Sequence, residues 1–383
     1  MDHDEELDIS KSDVVTKYKA AAEICNKAIA AAAEACTPGA KIVDVCRTGD
    51  DVIIKEAQNI FKGKKLEKGI AFPTCISANG VVGHFSPAAE DETTLQEGDL
   101  VKIDLGCHID GWVATQATTI QVAAGGLSAP ITGRAADAVA AARTAFDVAI
   151  RMIKPGKKVS EVAEKLAQAV APFGCQLVEG VLTHDLKQYV IDGNKVVLNR
   201  PSPEARVEDA EFEPNEVYAI DIVVSTGEGK PKVLDEKETT VYKRALDVEY
   251  KLKMKASRLV LGAITKRFPA LPFTLRALAE GEGEDAAELR KQMRLGLVEC
   301  LTHGLLHPYP VLHEKGGELV AQVKGTVLLM PNGSDKITAA PQQPLETDKK
   351  VEDAELIKLL NTGLKINKKK KKAAVGAAEG ADQ

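Results

Sequence analysis

The sequence predicts a mixed α/β (α+β) fold, built on a duplicated unit and interrupted by a mostly helical insertion. Three observations lead there. The octapeptides PGAKIVDV (38–45) and PGKKVSEV (155–162) each follow a long helical stretch and precede another. Their offset of 117 residues (155 − 38) repeats a helix–helix–strand context, the mark of an internal duplication. An alternating stretch, Leu100–Val122, turns at Asp110-Gly111 and reads as a hairpin. Between strand-like runs ending at Ser225 and resuming at Glu318, the chain turns basic and helical.

The elements follow in order. Ser12 predicts a cap for a helix from Asp13 to about Ala35, which stops at Thr37-Pro38-Gly39. A second helix spans about Val43–Phe61, and strands at Ile70–Ser77 and Val81–Phe85 flank the turn pair Asn79-Gly80. After the hairpin, a helix from Gly133 to Ile153 ends at Lys154-Pro155-Gly156, and a shorter one starts at Ser160. Strands are expected at Gln176–Thr183 and Val217–Ser225. From Lys243 to Arg276 basic residues outnumber the two acids, Asp247 and Glu249. The acidic stretch EGEGED (280–285) leads to a helix around Ala286–His303, a strand at Glu318–Leu329 and a last helix at about Asp353–Leu360. The expected organisation is an acidic segment 1–12, a domain 13–364 with an insertion at about 245–310, and a Lys-rich tail 365–383. The tail's low complexity predicts disorder.

Composition narrows the function classes. The balance of 44% hydrophobic and 28% charged residues is that of a soluble globular chain. A net charge of −6 excludes binding of nucleic acid by the whole surface, so such binding needs local basic patches. The seven cysteines are scattered, with no pair at zinc-knuckle or redox spacing, and read as reduced thiols of a cytosolic or nuclear protein. MDHDEELD is no signal peptide, and no run of about 18 apolar residues predicts a membrane span.

The hairpin carries the first candidate site residue. With a two-residue turn at Asp110-Gly111, opposed positions sum to 221, so Asp104 faces Ala117. Thr115 is then its diagonal neighbour on the same face, about 7–8 Å away. Two acids at 104 and 115 would share a cation, but position 115 is a threonine. Taken singly, Asp104 beside a turn, His184 and Asp221 each have an ordinary structural reading. No nucleophile stands out for a Ser or Cys triad, and no Gly-rich phosphate loop follows a strand.

Four motifs, FPTCISANGVVGHFSP (72–87), KIDLGCHIDG (102–111), EVYAIDIVVSTGEG (216–229) and AQVKGTVLL (321–329), resemble the successive motifs of type II methionine aminopeptidases. The resemblance implies a duplicated pita-bread fold, an inserted helical subdomain and a dinuclear metal site of two aspartates, a histidine and two glutamates. Carried over, the aspartates fall on Asp104 and Thr115, the histidine on His184, and the glutamates on Asp221 and Lys324. The substrate-side histidine falls on His84. A threonine is a weak neutral ligand, and a protonated lysine has no lone pair to give. Lys324 would neutralise Asp104 and Asp221 in place of a metal, so no cofactor and no catalytic residue are expected.

Further motifs narrow the resemblance: VVTKYKAA (14–21), KQYVIDG (187–193), LKMKASR (252–258), ALPFTLRA (270–277) and VEDAELIKLL (351–360). From about residue 10 to the lysine tail, the chain resembles the proliferation-associated (ErbB-3-binding) proteins, a non-catalytic offshoot of those aminopeptidases. The resemblance implies ribosomal RNA, large-subunit proteins near the tunnel exit and pre-ribosomes as partners. It also implies nuclear regulatory partners, and residence in cytoplasm, nucleus and nucleolus. The residues expected to meet RNA are Lys251, Lys253, Lys255, Arg258, Lys266, Arg267 and Arg276. The run Lys368, Lys369, Lys370, Lys371 and Lys372 reads as an RNA contact, a nuclear address or a solubilising tail. The competing reading is an active metallo-aminopeptidase that removes N-terminal methionine.

Overall fold

The computed structural model describes residues 7–201, 209–281 and 283–365. Two helices, α1 (Ser12–Ala35) and α2 (Ile42–Asn59), cover the strands β1 (Lys68–Ala78), β2 (Leu100–Ile109) and β3 (Trp112–Gln121). A short parallel pair, β4 (Ile131–Thr132) with β14 (Leu345–Glu346), precedes the second helix pair, α3 (Gly133–Met152) and α4 (Ser160–Val170). Strands β5 (Gln176–Leu177), β6 (Leu182–Asp185), β7 (Val196–Leu198) and β8 (Val217–Ser225) follow, and β12 (Val320–Met330) and β13 (Gly333–Lys336) complete one nine-stranded sheet. Its main path runs β1-β2-β3-β12-β8-β6-β7, and every pairing in it is antiparallel.

The helices that lie on this sheet are rich in alanine. Ala21, Ala22, Ala28, Ala32 and Ala33 of α1 are buried, as are Ala136, Ala138, Ala141, Ala142, Ala145 and Ala149 of α3. Alanine has the highest helix propensity and lets the helix approach the strands closely. The result is two separate cores. One joins α1 and α2 to β2 and β3; the other joins α3 and α4 to β8 and β12.

The duplication seen in the octapeptides extends through the fold. Helices α1 and α3 end 117 residues apart, at Ala35 and Met152 (152 − 35). The next turns place Gly39 at φ +84° and Gly156 at φ +80°. Lys41 bridges Thr94 and Lys158 bridges Glu211, so both partners move by the same step. The Gly39 N–H donates to Leu95 O at 2.7 Å, and the Gly156 N–H to Phe212 O at 2.9 Å. The strands that follow, β2 and β8, start at Leu100 and Val217.

Residues 241–309 build a separate layer. Strand β9 (Val241–Arg244) is flanked by β10 (Phe273–Thr274) and β11 (Leu306–Tyr309), and the helices are α5 (Lys255–Arg267), α6 (Leu275–Ala279) and α7 (Glu284–Thr302). A side chain at Gly296 would strike Val260 Cγ2 at 2.6 Å and Ala256 O at 2.8 Å, so glycine sets the α5–α7 approach. Glu299 of α7 accepts the N–H groups of Lys253 (2.9 Å) and Met254 (3.2 Å), satisfying the start of α5. The chain closes with α8 (Ala354–Leu360), capped by Asp353, whose side chain accepts the Leu356 N–H at 2.8 Å. Among the described residues no helix is long and apolar enough to cross a membrane.

Three expectations need correction. Ser12 is the first residue of α1 rather than its cap, because a turn from Asp8 already delivers the chain and Lys11 takes the cap position. Residues 81–85 do not form a strand. Asn79 (φ +51°) and His84 (φ +65°) break the extended run, and the Val82 N–H turns to Leu312 O at 2.8 Å. The stretch 176–183 is split in two by a turn at Gly180, φ +81°. The tail beyond residue 365 lies outside the described residues.

The two equivalent turns make a matched test. Gly39→Ala and Gly156→Ala each place a side chain in left-handed backbone with open space around it. Each should lower unfolding free energy by about 1 kcal/mol, read as an earlier denaturant midpoint with unchanged slope.

Candidate functional site

The turn between β2 and β3 decides what faces what. Asp110 (φ +55°) and Gly111 (φ +77°) form the two-residue turn, so Ile109 pairs with Trp112 and Asp104 with Ala117. Ala117 also pairs with Lys324 of β12, and Lys324 with Asp221 of β8. Asp104, Ala117, Lys324 and Asp221 thus form one row across four strands. The two carboxylates are themselves repeat equivalents, 117 residues apart (221 − 104).

The small Ala117 side chain leaves room for the lysine to reach past it. Lys324 Nζ donates to Asp104 Oδ2 at 2.6 Å and pairs with Asp221 Oδ2 at 3.0 Å. It also stands 5.5 Å from the centre of the Phe72 ring. Gln322, two residues earlier and so on the same face, donates to Asp221 Oδ1 at 2.8 Å. The Lys324 and Asp104 side chains are only 10% and 4% exposed, so each needs the other.

Burial alone would push Lys324 down, but Asp104 and Asp221 hold it well above the ordinary lysine range. Burial pushes Asp104 up, to about 6, and the Asp221 charge adds to that against the pull of Lys324. One ammonium is shared by two carboxylates, so the lysine stays charged and the cluster carries one surplus negative charge.

The seam between the two halves runs beside this cluster. Only Lys324 and Ala117 are ladder partners across β3 and β12. On either side a threonine hydroxyl takes the place of a direct backbone bond. Thr119 Oγ1 accepts the Gln322 N–H at 2.7 Å and donates to Gln322 O at 2.8 Å. Thr326 Oγ1 accepts the Thr115 N–H and donates to Thr115 O, both at 2.9 Å.

A cavity of about 240 Å³ opens above the row, lined by His84, Thr115, His184, Asp221 and Lys324, with Phe72 and Tyr309 on its apolar wall. His84 faces Pro310 O at 3.1 Å, and burial, then the Lys324 charge, depresses it to about 4. The same two causes lower His184. The structure therefore brings Asp104, Thr115, His184, Asp221, Lys324 and His84 to one place. Among the described residues, no group of three or more His, Cys, Asp or Glu side chains is arranged to hold a metal ion. Sequence reasoning missed Gln322, Phe72 and Tyr309. The spacing of two from Lys324 on a strand was a usable signal for Gln322.

The basic residues divide. Lys251 and Lys253 are exposed on either side of buried Leu252, but Lys255 already begins α5, so the alternation stops there. Arg258 is exposed and donates to Leu252 O (3.1 Å) and Lys253 O (2.8 Å). Lys266 is exposed, and exposed Arg267 braces the carbonyls of Ala277, Leu278 and Glu280. Arg276 is not on the basic surface. It is buried, donating to Pro87 O at 2.7 Å and Asp50 Oδ2 at 3.1 Å, because the largely covered Asp50 carboxylate, 14% exposed, demands a cation. Lys368, Lys369, Lys370, Lys371 and Lys372 lie outside the described residues.

Residues 16–243, more than half of the chain, match metallopeptidase family M24. The chain belongs to that family. Within it, ErbB-3 binding protein 1 of Solanum tuberosum is 55% identical over 93% of this chain and 89% of its own length. A methionine aminopeptidase of Archaeoglobus fulgidus is 29% identical over 84% of this chain and 97% of its own. Among solved structures, a thermophilic Arx1 superposes with a TM-score of 0.83 at 28% identity, covering 93% of this chain and 99% of that one. The fold is the pita-bread fold of the methionine aminopeptidases, and the chain is one of the ErbB-3-binding, proliferation-associated proteins of the M24 family.

Lys324→Met should leave two carboxylates facing each other without a counter-charge. We expect a loss of roughly 3–5 kcal/mol at pH 7. The native state would then hold protons that the unfolded chain releases, so stability should recover as pH falls from 7 towards 4. Denaturant titrations at several pH values check this. A variant equally weakened at pH 5 and pH 7 would contradict the pairing.

Proposed function

We propose that this chain is a catalytically inactive aminopeptidase-like scaffold that binds RNA and the large ribosomal subunit near the tunnel exit. It acts in ribosome biogenesis, translation and growth regulation, in cytoplasm, nucleus and nucleolus. The observation that carries the loss of catalysis is the Lys324 ammonium, bonded at 2.6 and 3.0 Å to the two carboxylates that descend from metal ligands. A divalent ion beside a fixed ammonium is repelled by about 8 kcal/mol at 4 Å with an effective dielectric of 20. Thr115 in place of an acid removes a second strong donor. The residues present do not fit the family's metal pair, and without it there is no activated water.

The binding half of the reading is supported by the resemblance to the ErbB-3-binding proteins and by the exposed cations of residues 251–267. Lys251, Lys253, Lys255, Arg258 and Lys266 can neutralise phosphates and release counterions, giving affinity without base specificity. Arg276 is left out of this surface because it is buried. Nuclear regulatory proteins fit the same scaffold as further partners.

Two experiments test the reading. Purified chain equilibrated with manganese, cobalt or zinc and then desalted should hold far less than one ion per molecule, and should release no methionine from a Met-Ala peptide. Tight stoichiometric metal with turnover would establish the metallo-aminopeptidase reading instead. Separately, reversing Lys251, Lys253 and Lys255 to Glu should weaken co-sedimentation with large subunits. The slope of log affinity against log salt should shrink by about 0.7–0.9 for each phosphate that is no longer neutralised. Unchanged binding and slope would rule out this segment as the ribosomal contact.

A further inference from the structure

An open groove of about 740 Å³ runs along α5, bordered by Tyr250, Lys251, Arg258 and Lys266 and floored by Leu261 and Gly262. Three features of it call for a common explanation. Its border carries three cations, and no carboxylate is among its described lining residues. Tyr250 stacks on His303, ring centres 3.6 Å apart and 14° from parallel, and Tyr250 also lines the groove. One face of the phenol ring is thus backed by the imidazole.

The third feature is Gly262. It sits in the interior of α5 with ordinary helical backbone, where glycine weakens a helix relative to alanine. Gly296 on the partner helix is explained by close packing, but no heavy atom lies within 4 Å of where a Gly262 side chain would begin. Packing within the protein gives no reason for a glycine here; close approach of something outside it would. Arg258, Gly262 and Lys266 recur every four residues and therefore share one face. The two cations flank the glycine, roughly 12 Å apart along the axis.

We propose that this groove holds single-stranded RNA. One unpaired base stacks on Tyr250, the flanking phosphates meet Lys251, Arg258 and Lys266, and the sugar–phosphate backbone lies against the helix at Gly262. The proposal rests on the RNA-binding reading above and narrows it. A duplex keeps its bases stacked on each other and cannot offer one to Tyr250. An acidic peptide would satisfy the cations but has no use for the ring. Stacking of a base on an aromatic side chain combined with a cationic track is a general mode of single-strand binding.

The test is fluorescence anisotropy on the full chain with three probes: a labelled single-stranded RNA of about twelve nucleotides, the same strand in a duplex, and a poly-glutamate peptide of equal charge. Three variants are compared with the unmodified chain: Gly262→Leu, Tyr250→Ala and Tyr250→Phe. The single strand should bind most tightly. Gly262→Leu and Tyr250→Ala should each weaken it by about tenfold, while Tyr250→Phe, which keeps the ring, should not. Gly262→Leu should unfold no earlier than the unmodified chain, since leucine favours the helix, so its weaker binding cannot come from misfolding. Tightest binding of the duplex or the peptide would overturn the proposal, and so would full single-strand affinity in Gly262→Leu. If that variant binds normally while the lysine reversals abolish co-sedimentation with large subunits, the groove assignment falls and the ribosomal reading stands. If neither set of variants changes binding, both fall.

Discussion

Burying the Lys324 ammonium between Asp104 and Asp221 constrains the whole sheet. The three charges come from β2, β12 and β8, and they meet because Ala117 and Lys324 are paired across the seam. A slip of one residue in any of these strands would send its charge to the opposite face, where α1 and α3 pack their alanines. A buried charge without its partner is far more costly than a misplaced apolar group. The cluster therefore specifies register on both sides of the junction between the two halves. That it does so with repeat-equivalent aspartates means each half contributes one anion, and the strand linking them supplies the cation.

The seam shows why the cleft has space for side chains at all. Thr119 and Thr326 each bond both the N–H and the carbonyl of a residue on the facing strand. Each hydroxyl stands in for direct backbone pairing, so β3 and β12 keep their hydrogen bonds satisfied while ladder pairing is confined to one residue pair. The unsatisfied backbone that such an opening would otherwise leave is removed.

Much of this arrangement was legible in the sequence for identifiable reasons. The parity of the hairpin follows from the two-residue turn at Asp110-Gly111, which needs left-handed backbone at both positions and leaves no freedom of register. The duplicated Pro-Gly turns announce the repeat because helix ends of this kind demand a glycine at φ near +80°. What was hidden depended on distant partners. Val81–Phe85 has strand composition, yet its hydrogen bonds are scattered: Val82 N–H to Leu312 O, Val81 N–H to Ala78 O, and Phe85 O from the Ile76 N–H. Arg276 belongs to a basic stretch by composition, but Asp50, more than two hundred positions earlier, draws it inside. Local pattern does not record which cation a buried carboxylate will claim.

Arg276 also ties the layer of α5 to the cleft. It holds the carbonyl of Pro87 and the Ser86 hydroxyl, and Thr240 Oγ1 donates to Ser86 O at 2.6 Å. Residues 84–87 are therefore gripped by the layer that carries α5 and the basic groove. The same short segment presents His84 to the cavity over Lys324, and Pro310, just past β11 of that layer, faces its ring at 3.1 Å. Groove and cavity are joined by hydrogen bonds that are buried at Ser86 and Pro87 and part-buried at His84. A large partner seated on α5 would thus meet a surface linked to the cleft through these hydrogen bonds. Under the proposed function, that linkage would serve a role in which geometry is presented rather than chemistry performed.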